Sequence, residues 1–307
     1  MIDCTVLVLG AGGLGCEILK NLAMLQVRNI HVVDLDTIEL TNLNRQFLFT
    51  EYDIGKPKAE VAAKYINNWN EVRQMENKGY PEVIVTPYVR DLTLFPVEFF
   101  KQYQFVISGL DAIEPRRYVN KVLVQITRET HFEVCIPFID GGTEGLKGHI
   151  KTIIPGITAC WECSLDTLPL QQHSVPMCTV ANNPRVLEHV IEYVATVECP
   201  DSELDNPEEA ALVLERCFTR ARKFDIDHRK LNMSYMLGVI KRIVPSVSTT
   251  NTIVAAACCN EVVKIYFDMV ADYDNITNFI MINGADGFFM HKFKYERKPN
   301  CLVCSGL

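Results

Sequence analysis

The sequence predicts an α/β protein in which a Rossmann-like domain with a mixed, mainly parallel sheet carries an inserted, mainly helical domain. Two observations support this fold class. Residues 1–155 alternate short, apolar, β-branched runs with segments of helical apolar spacing, a pattern typical of a parallel sheet flanked by helices. After residue 160 the strand pattern stops, and helical segments punctuated by proline and acidic residues take its place.

The alternation begins with a β-turn-α-β unit whose first strand ends at Gly10. Strands joined through a helix in this way lie parallel in one sheet. In chain order, we expect strands at 5–9, 30–33, 83–85 and 105–108, with helices at 16–25 and 58–67.

The later chain leaves this pattern and then returns to it. Helical segments at 186–195 and 210–223 belong to the insert, whereas a long helix at 250–267 and strands at 279–282 and 288–293 are expected to complete the first sheet. The predicted domains are residues 1–162 (first part of the Rossmann-like domain), 163–236 (insert) and 237–307 (remainder of the first domain).

Composition excludes several classes of protein. The chain has 307 residues and a net charge of −8, so it lacks the basic field that nucleic-acid binding requires. Residues 198–209 concentrate the acidic surplus and are expected to form a solvated loop. We expect neither a membrane span nor a secretion signal. The twelve cysteines are therefore expected to be reduced thiols used for metal binding, catalysis or packing.

A glycine-rich turn predicts a nucleotide site. Residues 10–15 satisfy G-x-G-x-x-G between a strand and a helix, where glycines let phosphates approach the helix N-terminus. Asp34 follows 19 residues after Gly15 at the end of the next strand, the usual position for a carboxylate that binds a ribose. These two features alone favour a dinucleotide-binding dehydrogenase, and they leave the identity of the nucleotide open.

The segment that follows points to a family. Residues 34–47 resemble the signature of ubiquitin-activating enzymes and their bacterial relatives that adenylate sulfur carriers. The resemblance implies an adenylation domain that binds ATP, with Arg45 and Lys58 on the triphosphate, Asp111 on Mg²⁺ and Asp34 on the ribose. The residues expected to line this site are Gly10, Gly12, Gly13, Gly15, Asp34, Asp36, Asn42, Arg45, Gln46, Lys58 and Asp111.

A cysteine in the insert is the expected catalytic nucleophile. Residues 175–180 resemble the active-cysteine motif of modifier-activating enzymes, with Cys178 as the residue that carries the modifier as a thioester. Only a few per cent of an ordinary thiol is ionised at pH 7. Arg185 and the backbone amides after Cys178 are candidate activators of the thiol.

Two C-x-x-C pairs predict a structural zinc site. Cys160 and Cys163 form the first pair and Cys301 and Cys304 the second. Four thiolates without a histidine are typical of a closed structural zinc centre. A redox pair is the alternative, although it does not require two copies.

Within the family, the closest resemblance is to the neddylation (Rub-modifier) branch in a short form similar to that of fungi. Residues 137–145, 155–160 and 178–185 support it. The resemblance implies a heterodimer with a catalytically silent subunit, which supplies an arginine to the γ-phosphate. It also implies a Nedd8-type modifier, a conjugating enzyme as acceptor, and a location in cytoplasm and nucleus. Many relatives continue into a ubiquitin-like domain, whereas this chain stops at Leu307.

Four other interpretations remain as alternatives. An NAD-dependent dehydrogenase needs a hydride-transfer acid or base, and none is evident. An inert scaffold subunit is expected to lack Arg45, Lys58, Asp111 or the Cys178 motif. A sulfur-carrier adenylating enzyme is disfavoured by the insert after Cys163. Activation of ubiquitin or another modifier stays open, although Lys151, if it faces the modifier's tail, disfavours ubiquitin because the ubiquitin tail carries an arginine.

Overall fold

The structure of the chain was obtained as a computed structural model. It describes residues 1–167, 181–204, 206–240, 246–273 and 276–307. The chain divides into two compact units: residues 1–167 together with 246–307, and residues 168–245. The chain therefore leaves the first unit after residue 167 and returns to it at residue 246. The sequence places these two junctions after residues 162 and 236, five and nine residues earlier.

In the described part of the chain, the first unit contains a sheet of eight strands in the order β3-β2-β1-β4-β5-β6-β7-β8. The strands are β1 Ile2–Leu9, β2 Val27–Val33, β3 Ile84–Tyr88, β4 Phe105–Ser108, β5 Phe138–Glu144, β6 Lys147–Ile153, β7 Phe279–Asn283 and β8 Phe289–Phe293. Neighbouring strands pair parallel from β3 through β2, β1 and β4 to β5. They pair antiparallel from β5 through β6 and β7 to β8. The prediction of a mixed, mainly parallel sheet, completed by the last two strands, is confirmed.

Helices pack on this sheet and bury apolar side chains against it. The helices of the first unit are α1 Gly13–Met24, α2 Lys58–Glu76, α3 Val97–Phe100, α4 Ile113–Glu129 and α8 Ser248–Tyr266. Leu14, Ile18 and Leu22 of α1 lie in one buried cluster with Val254 and Val262 of α8. The four strands that end near Leu9, Val33, Tyr88 and Ser108 run beneath these helices, so the loops at their carboxyl ends emerge at one edge.

The second unit is helical. Its helices are α5 Leu187–Tyr193, α6 Pro207–Lys223 and α7 Met233–Ile240. Met236 of α7 packs in one apolar core with Val190, Val213 and Cys217. This packing places α7 in the second unit, although the predicted domain boundary at 236/237 falls inside the helix.

The acidic segment 198–209 is not wholly a loop, in contrast to the prediction. Helix α6 begins at Pro207, and the Asn206 side chain caps it by accepting a hydrogen bond from the Glu208 amide at 3.0 Å. Glu208 and Glu209 therefore lie in the first helical turn. Carboxylates are favourable there because the exposed amides give the N-terminus of a helix a partial positive charge.

None of the helices in the described part of the chain combines the length and the hydrophobicity that crossing a lipid bilayer requires.

Candidate functional site

The predicted nucleotide residues follow three neighbouring strands. Strand β1 pairs with β2 on one side and with β4 on the other, so Leu9 lies opposite both Val33 and Ser108. The glycine-rich turn, Asp34 and Asp111 come directly after these strands. The sheet topology thus brings together side chains that are up to about 100 residues apart in the sequence, at the edge where open α/β sheets bind ligands.

The glycine-rich turn is tight at two positions. Gly10 has φ +91°, a left-handed conformation that favours glycine. A Cβ atom on Gly15 would lie 2.0 Å from the Gly10 carbonyl oxygen. Glycine at these positions therefore lets α1 begin directly above the end of β1, with the unpaired amides of its first turn exposed to a ligand.

We expect Gly15→Ala to weaken binding of the predicted nucleotide about tenfold or more, because the added methyl group displaces α1 from the turn. Calorimetric titration of ATP, the nucleotide that the family resemblance implies, into the purified protein measures this. Gly238→Ala is the matched control, since a Cβ atom at Gly238 meets no atom within 4 Å. Equal ATP affinity in Gly15→Ala and the wild type would contradict this account of the turn.

Asp34 holds the turn as well as lining the site. One carboxylate oxygen accepts a hydrogen bond from the Ala11 amide at 2.6 Å, and the other accepts one from the Asp36 amide at 2.8 Å. Burial raises the pKa of the Asp34 carboxyl above its usual value, while these two amide donors oppose the rise. Asp34 thus joins the ends of β1 and β2 at the place where a ribose is expected.

Lys58 forms an ion pair across the same edge. Its Nζ atom lies 2.8 Å from Asp36 Oδ2, and its side chain is 11% exposed against 59% for Asp36. The lysine is the first residue of α2, so its ammonium group is fixed between this helix and the loop after β2. A bound triphosphate can compete for the ammonium group by offering it a higher density of negative charge.

The loop at residues 40–46 carries three more predicted residues. Asn42 and Gln46 are buried, and Asn42 Oδ1 accepts a hydrogen bond from the Glu39 amide at 2.9 Å. Within the described residues, no donor reaches Gln46 Oε1. Arg45 is half-buried, and its guanidinium donates to the Thr41 carbonyl oxygen at 2.9 Å. Asn42 thus supports the loop, while Arg45 supplies a cation beside the turn.

Asp111 is exposed at the end of the loop after β4. This loop touches the glycine-rich turn, because a Cβ atom on Gly10 would lie 3.1 Å from the Gly109 carbonyl oxygen. Arg116 of α4 holds the loop from below by donating to the Leu110 carbonyl oxygen. The carboxylate is therefore available to solvent on a fixed backbone, as a magnesium ligand must be.

Arg116 belongs to a buried network that the sequence did not predict. Its Nε atom lies 3.3 Å from Asp140 Oδ1, and its Nη2 atom donates to the Gly141 carbonyl oxygen at 3.1 Å. The other oxygen of Asp140 accepts a hydrogen bond from Trp161 Nε1 at 3.0 Å. The network connects the Asp111 loop to β5 and to the first C-x-x-C pair.

The four predicted zinc ligands meet in space. The Sγ atoms of Cys160, Cys163, Cys301 and Cys304 are buried and lie within 4.8 Å of one another. Three of the sulfur–sulfur distances are 3.8, 3.6 and 3.5 Å. Tetrahedral Zn–S bonds of about 2.3 Å require sulfur atoms about 3.8 Å apart. The cluster therefore fits a zinc ion, and it joins two segments 141 residues apart in the chain.

Cys178 and the surrounding motif at residues 175–180 lie outside the described residues. The description resumes at Ala181, whose carbonyl oxygen accepts a hydrogen bond from Arg220 at 2.6 Å. The Arg220 guanidinium is stacked on the Tyr193 ring, 3.5 Å from its centroid. Arg185, the candidate activator, is exposed, and its backbone amide donates to His189 Nδ1 at 3.2 Å. The role of Cys178 stays a prediction.

Lys151 is buried, with 3% of its surface exposed. Its ammonium group donates to Ser164 Oγ at 2.9 Å and lies 5.0 Å from the Trp161 ring centroid and 5.4 Å from that of Phe279. A long side chain on a strand can cover apolar rings with its stem and still place its charge on a polar partner. Lys151 therefore supports the segment around Trp161. That its charge disfavours ubiquitin stays a prediction.

A comparison with protein families identifies the class to which this chain belongs. The sequence matches the ThiF family over residues 2–303, and the chain belongs to this family. The resemblance that the motifs at residues 10–15 and 34–47 indicate is thereby confirmed.

Two curated relatives and one solved structure are similar to this chain over nearly its whole length. The chain is 60% identical over 305 residues to the NEDD8-activating enzyme E1 catalytic subunit of Saccharomyces cerevisiae, covering 99% of this chain and 98% of that protein. It is 41% identical over 316 residues to the Nedd8-activating enzyme E1 catalytic subunit of Drosophila melanogaster, covering 98% of this chain and 66% of that protein. The crystal structure of E. coli MccB with ATP has the same fold, with a TM-score of 0.59 at 20% identity over 99% of this chain and 66% of that one.

Proposed function

We propose that this chain is the catalytic subunit of an enzyme that activates a Nedd8-type modifier. The enzyme uses ATP to adenylate the C-terminal glycine of the modifier, transfers the acyl group to Cys178, and passes it to a cysteine of a conjugating enzyme. The observation that carries the proposal is the 60% identity with the yeast catalytic subunit over nearly the full length of both chains. The arrangement of charged side chains around the glycine-rich turn supports it independently.

In the first step, the modifier's terminal carboxylate attacks the α-phosphorus of ATP. A carboxylate–phosphorus bond forms, the bond to the bridging oxygen breaks, and pyrophosphate leaves. No general base is needed because the nucleophile is already an anion. Negative charge accumulates on the phosphoryl oxygens and on the leaving group, so fixed cations contribute most of the catalysis. Arg45 and Lys58 supply these cations.

In the second step, the Cys178 thiolate attacks the acyl carbon of the adenylate. A thioester forms, and AMP leaves with the electron pair of the broken anhydride bond. The thiolate of a conjugating enzyme then attacks this thioester and regenerates Cys178. A thioester-for-thioester exchange changes the free energy little, so it proceeds without further ATP.

Two metal ions and a partner subunit complete the proposal. Asp111 would hold Mg²⁺, and the charge of this ion would neutralise the phosphates. Cys160, Cys163, Cys301 and Cys304 would hold Zn²⁺, which would fix the two C-x-x-C segments. A catalytically silent subunit forms the heterodimer, as the family resemblance implies, and the complex acts in cytoplasm and nucleus. The first unit is the adenylation domain and the second the catalytic-cysteine domain.

We expect one zinc ion per chain, and we expect Cys301→Ser to lose it. The loss lowers the midpoint of thermal unfolding by about 10 °C or more, since structural zinc contributes several kcal/mol to folding. Metal analysis and scanning calorimetry measure both effects. Cys135→Ser is the control, because Cys135 lies outside the cluster and its thiol contacts the Pro155 carbonyl oxygen at 3.6 Å. Purified protein without zinc would refute this site.

The choice of modifier is tested by comparing two separate reactions. The chain is combined with its partner subunit, Mg²⁺, ATP, and either a Nedd8-type modifier or ubiquitin, and products are separated on a non-reducing gel. We expect a reducible adduct that forms with the Nedd8-type modifier far faster than with ubiquitin. A preference for ubiquitin would replace the proposed substrate, and the absence of any ATP-dependent adduct would remove the proposed function.

A further inference from the structure

Asn251 is a fully buried polar residue next to the nucleotide site that the mechanism above does not use. It lies in the first turn of α8, and its side chain is shielded from solvent. Burying a carboxamide costs free energy unless its hydrogen bonds are satisfied. The contacts of this side chain therefore indicate what its position stabilises.

The Asn251 carboxamide connects three segments of the first unit. Its Oδ1 atom accepts a hydrogen bond from Thr143 Oγ1 at 2.8 Å, near the end of β5. Its Nδ2 atom donates to Ser246 Oγ at 3.1 Å, where the chain returns to the first unit. The bond from Thr143 fixes the orientation of the amide, because it engages the oxygen and leaves the nitrogen on the opposite side.

The amide nitrogen lies against the glycine-rich turn. A Cβ atom on Gly13 would lie 2.5 Å from Asn251 Nδ2 and 3.5 Å from Cγ of Arg45. Gly13 is the first residue of α1, so its backbone is among those whose free amides face a phosphate. Asn251 thus packs directly on the backbone that is expected to contact the triphosphate, beside the stem of the arginine expected to do the same.

We propose that Asn251 is a positioning residue for the nucleotide, which sets the approach of Gly13 and Arg45 to the triphosphate. It acts through these two residues and does not contact the modifier. The proposal rests on the proposed function in one respect, that the nucleotide in this site is ATP. It assigns to α8 a part in ATP binding in addition to its packing on the sheet.

The test compares substitutions that remove one contact at a time in the assembled heterodimer. Asn251→Asp keeps the size and the acceptor for Thr143 but replaces the nitrogen with an anionic oxygen beside Gly13. Thr143→Val removes the hydroxyl that orients the amide, and Thr143→Ser restores it. Asn260→Asp is the control, since Asn260 is exposed on the same helix. ATP affinity is measured by calorimetry, and KM values for ATP and modifier by pyrophosphate exchange.

We expect Asn251→Asp to raise both the Kd and the KM for ATP about tenfold or more. Thr143→Val raises them less, and Thr143→Ser and Asn260→Asp leave them within about twofold of the wild type. The KM for the modifier stays unchanged in every variant. A purely structural role lowers the active fraction and the unfolding temperature without changing these constants, and that result would overturn the proposal.

Different results would contradict the proposed function and the positioning role of Asn251. If the wild type binds ATP but shows no modifier-dependent exchange, the proposed function is wrong, and the ATP affinities of the variants still decide the role of Asn251. If the wild type exchanges normally and Asn251→Asp has wild-type ATP constants, only the positioning role is wrong. If the wild-type heterodimer does not bind ATP, both are wrong.

Discussion

Cys178→Ala is expected to abolish the reducible adduct with the modifier while leaving modifier-dependent ATP–pyrophosphate exchange close to the wild-type rate. In the proposed reaction the thiol acts only after the adenylate has formed, so its removal stops the second step and spares the first. The loss of adduct is complete, because alanine offers no nucleophile. A non-reducing gel and the exchange assay on the same preparation measure the two steps separately.

Two companion variants make this result specific. Cys199→Ala is the thiol control, since Cys199 is half-buried in the same unit, and it should keep the adduct. Asp111→Ala should lose both exchange and adduct, because the proposed magnesium ligand acts before the thiol. An adduct that persists in Cys178→Ala would assign the nucleophile to another residue.

Lys58→Ala is expected to reduce the rate of pyrophosphate exchange by about 10²–10³, the usual effect of removing one fixed charge that stabilises a transition state. The expectation rests on the burial of Lys58 and its ion pair with Asp36, which hold the ammonium group at the carboxyl edge of the sheet. Removing it leaves the charge on the departing pyrophosphate without one of its partners.

Lys56→Ala provides the matched comparison for Lys58. Lys56 forms an ion pair of the same length, 2.8 Å, with Asp53, but its side chain is 54% exposed. An exposed pair contributes little, so we expect exchange within about twofold of the wild type. Equal rates in Lys58→Ala and Lys56→Ala would show that Lys58 does not act on the triphosphate.

Elements with a regular apolar pattern could be predicted from the sequence. The strand at 105–108 is observed with the same limits, as β4, and the long helix at 250–267 corresponds to α8. Strand β6 was not predicted, because His149 and Lys151 interrupt its apolar pattern. Lys151 is tolerated there since Ser164 and two aromatic rings surround its ammonium group. Such compensation comes from distant residues and leaves no local signal.

Helix α4 was missed for a related reason. Arg116 and Asn120 lie on its buried side, where a pattern-based prediction expects apolar residues. Arg116 is paired with Asp140, and the Asn120 side chain accepts a hydrogen bond from the Trp161 amide at 2.9 Å. These partners are 24 and 41 residues away in sequence, so only the folded chain reveals why polar residues occupy this face.

In the candidate site too, some residues have a local sequence signal and others are explained only by distant contacts. The glycine-rich turn and the two C-x-x-C pairs have fixed local spacing, so the sequence alone predicts them, including the meeting of cysteines that are 141 residues apart. Asn251 has no such spacing. Its importance becomes visible only when α8 is placed against Gly13. No described residue tests Cys178 itself, so its assignment depends on the motif and on the variants above.

In the proposed reaction, ATP and the modifier form an acyl adenylate at the carboxyl edge of β1, β2 and β4. The most direct measurement is exchange of labelled pyrophosphate into ATP by the purified heterodimer, with and without the Nedd8-type modifier. We expect rapid exchange that requires the modifier and its C-terminal glycine. Exchange that is absent, or that proceeds equally well without the modifier, would contradict it.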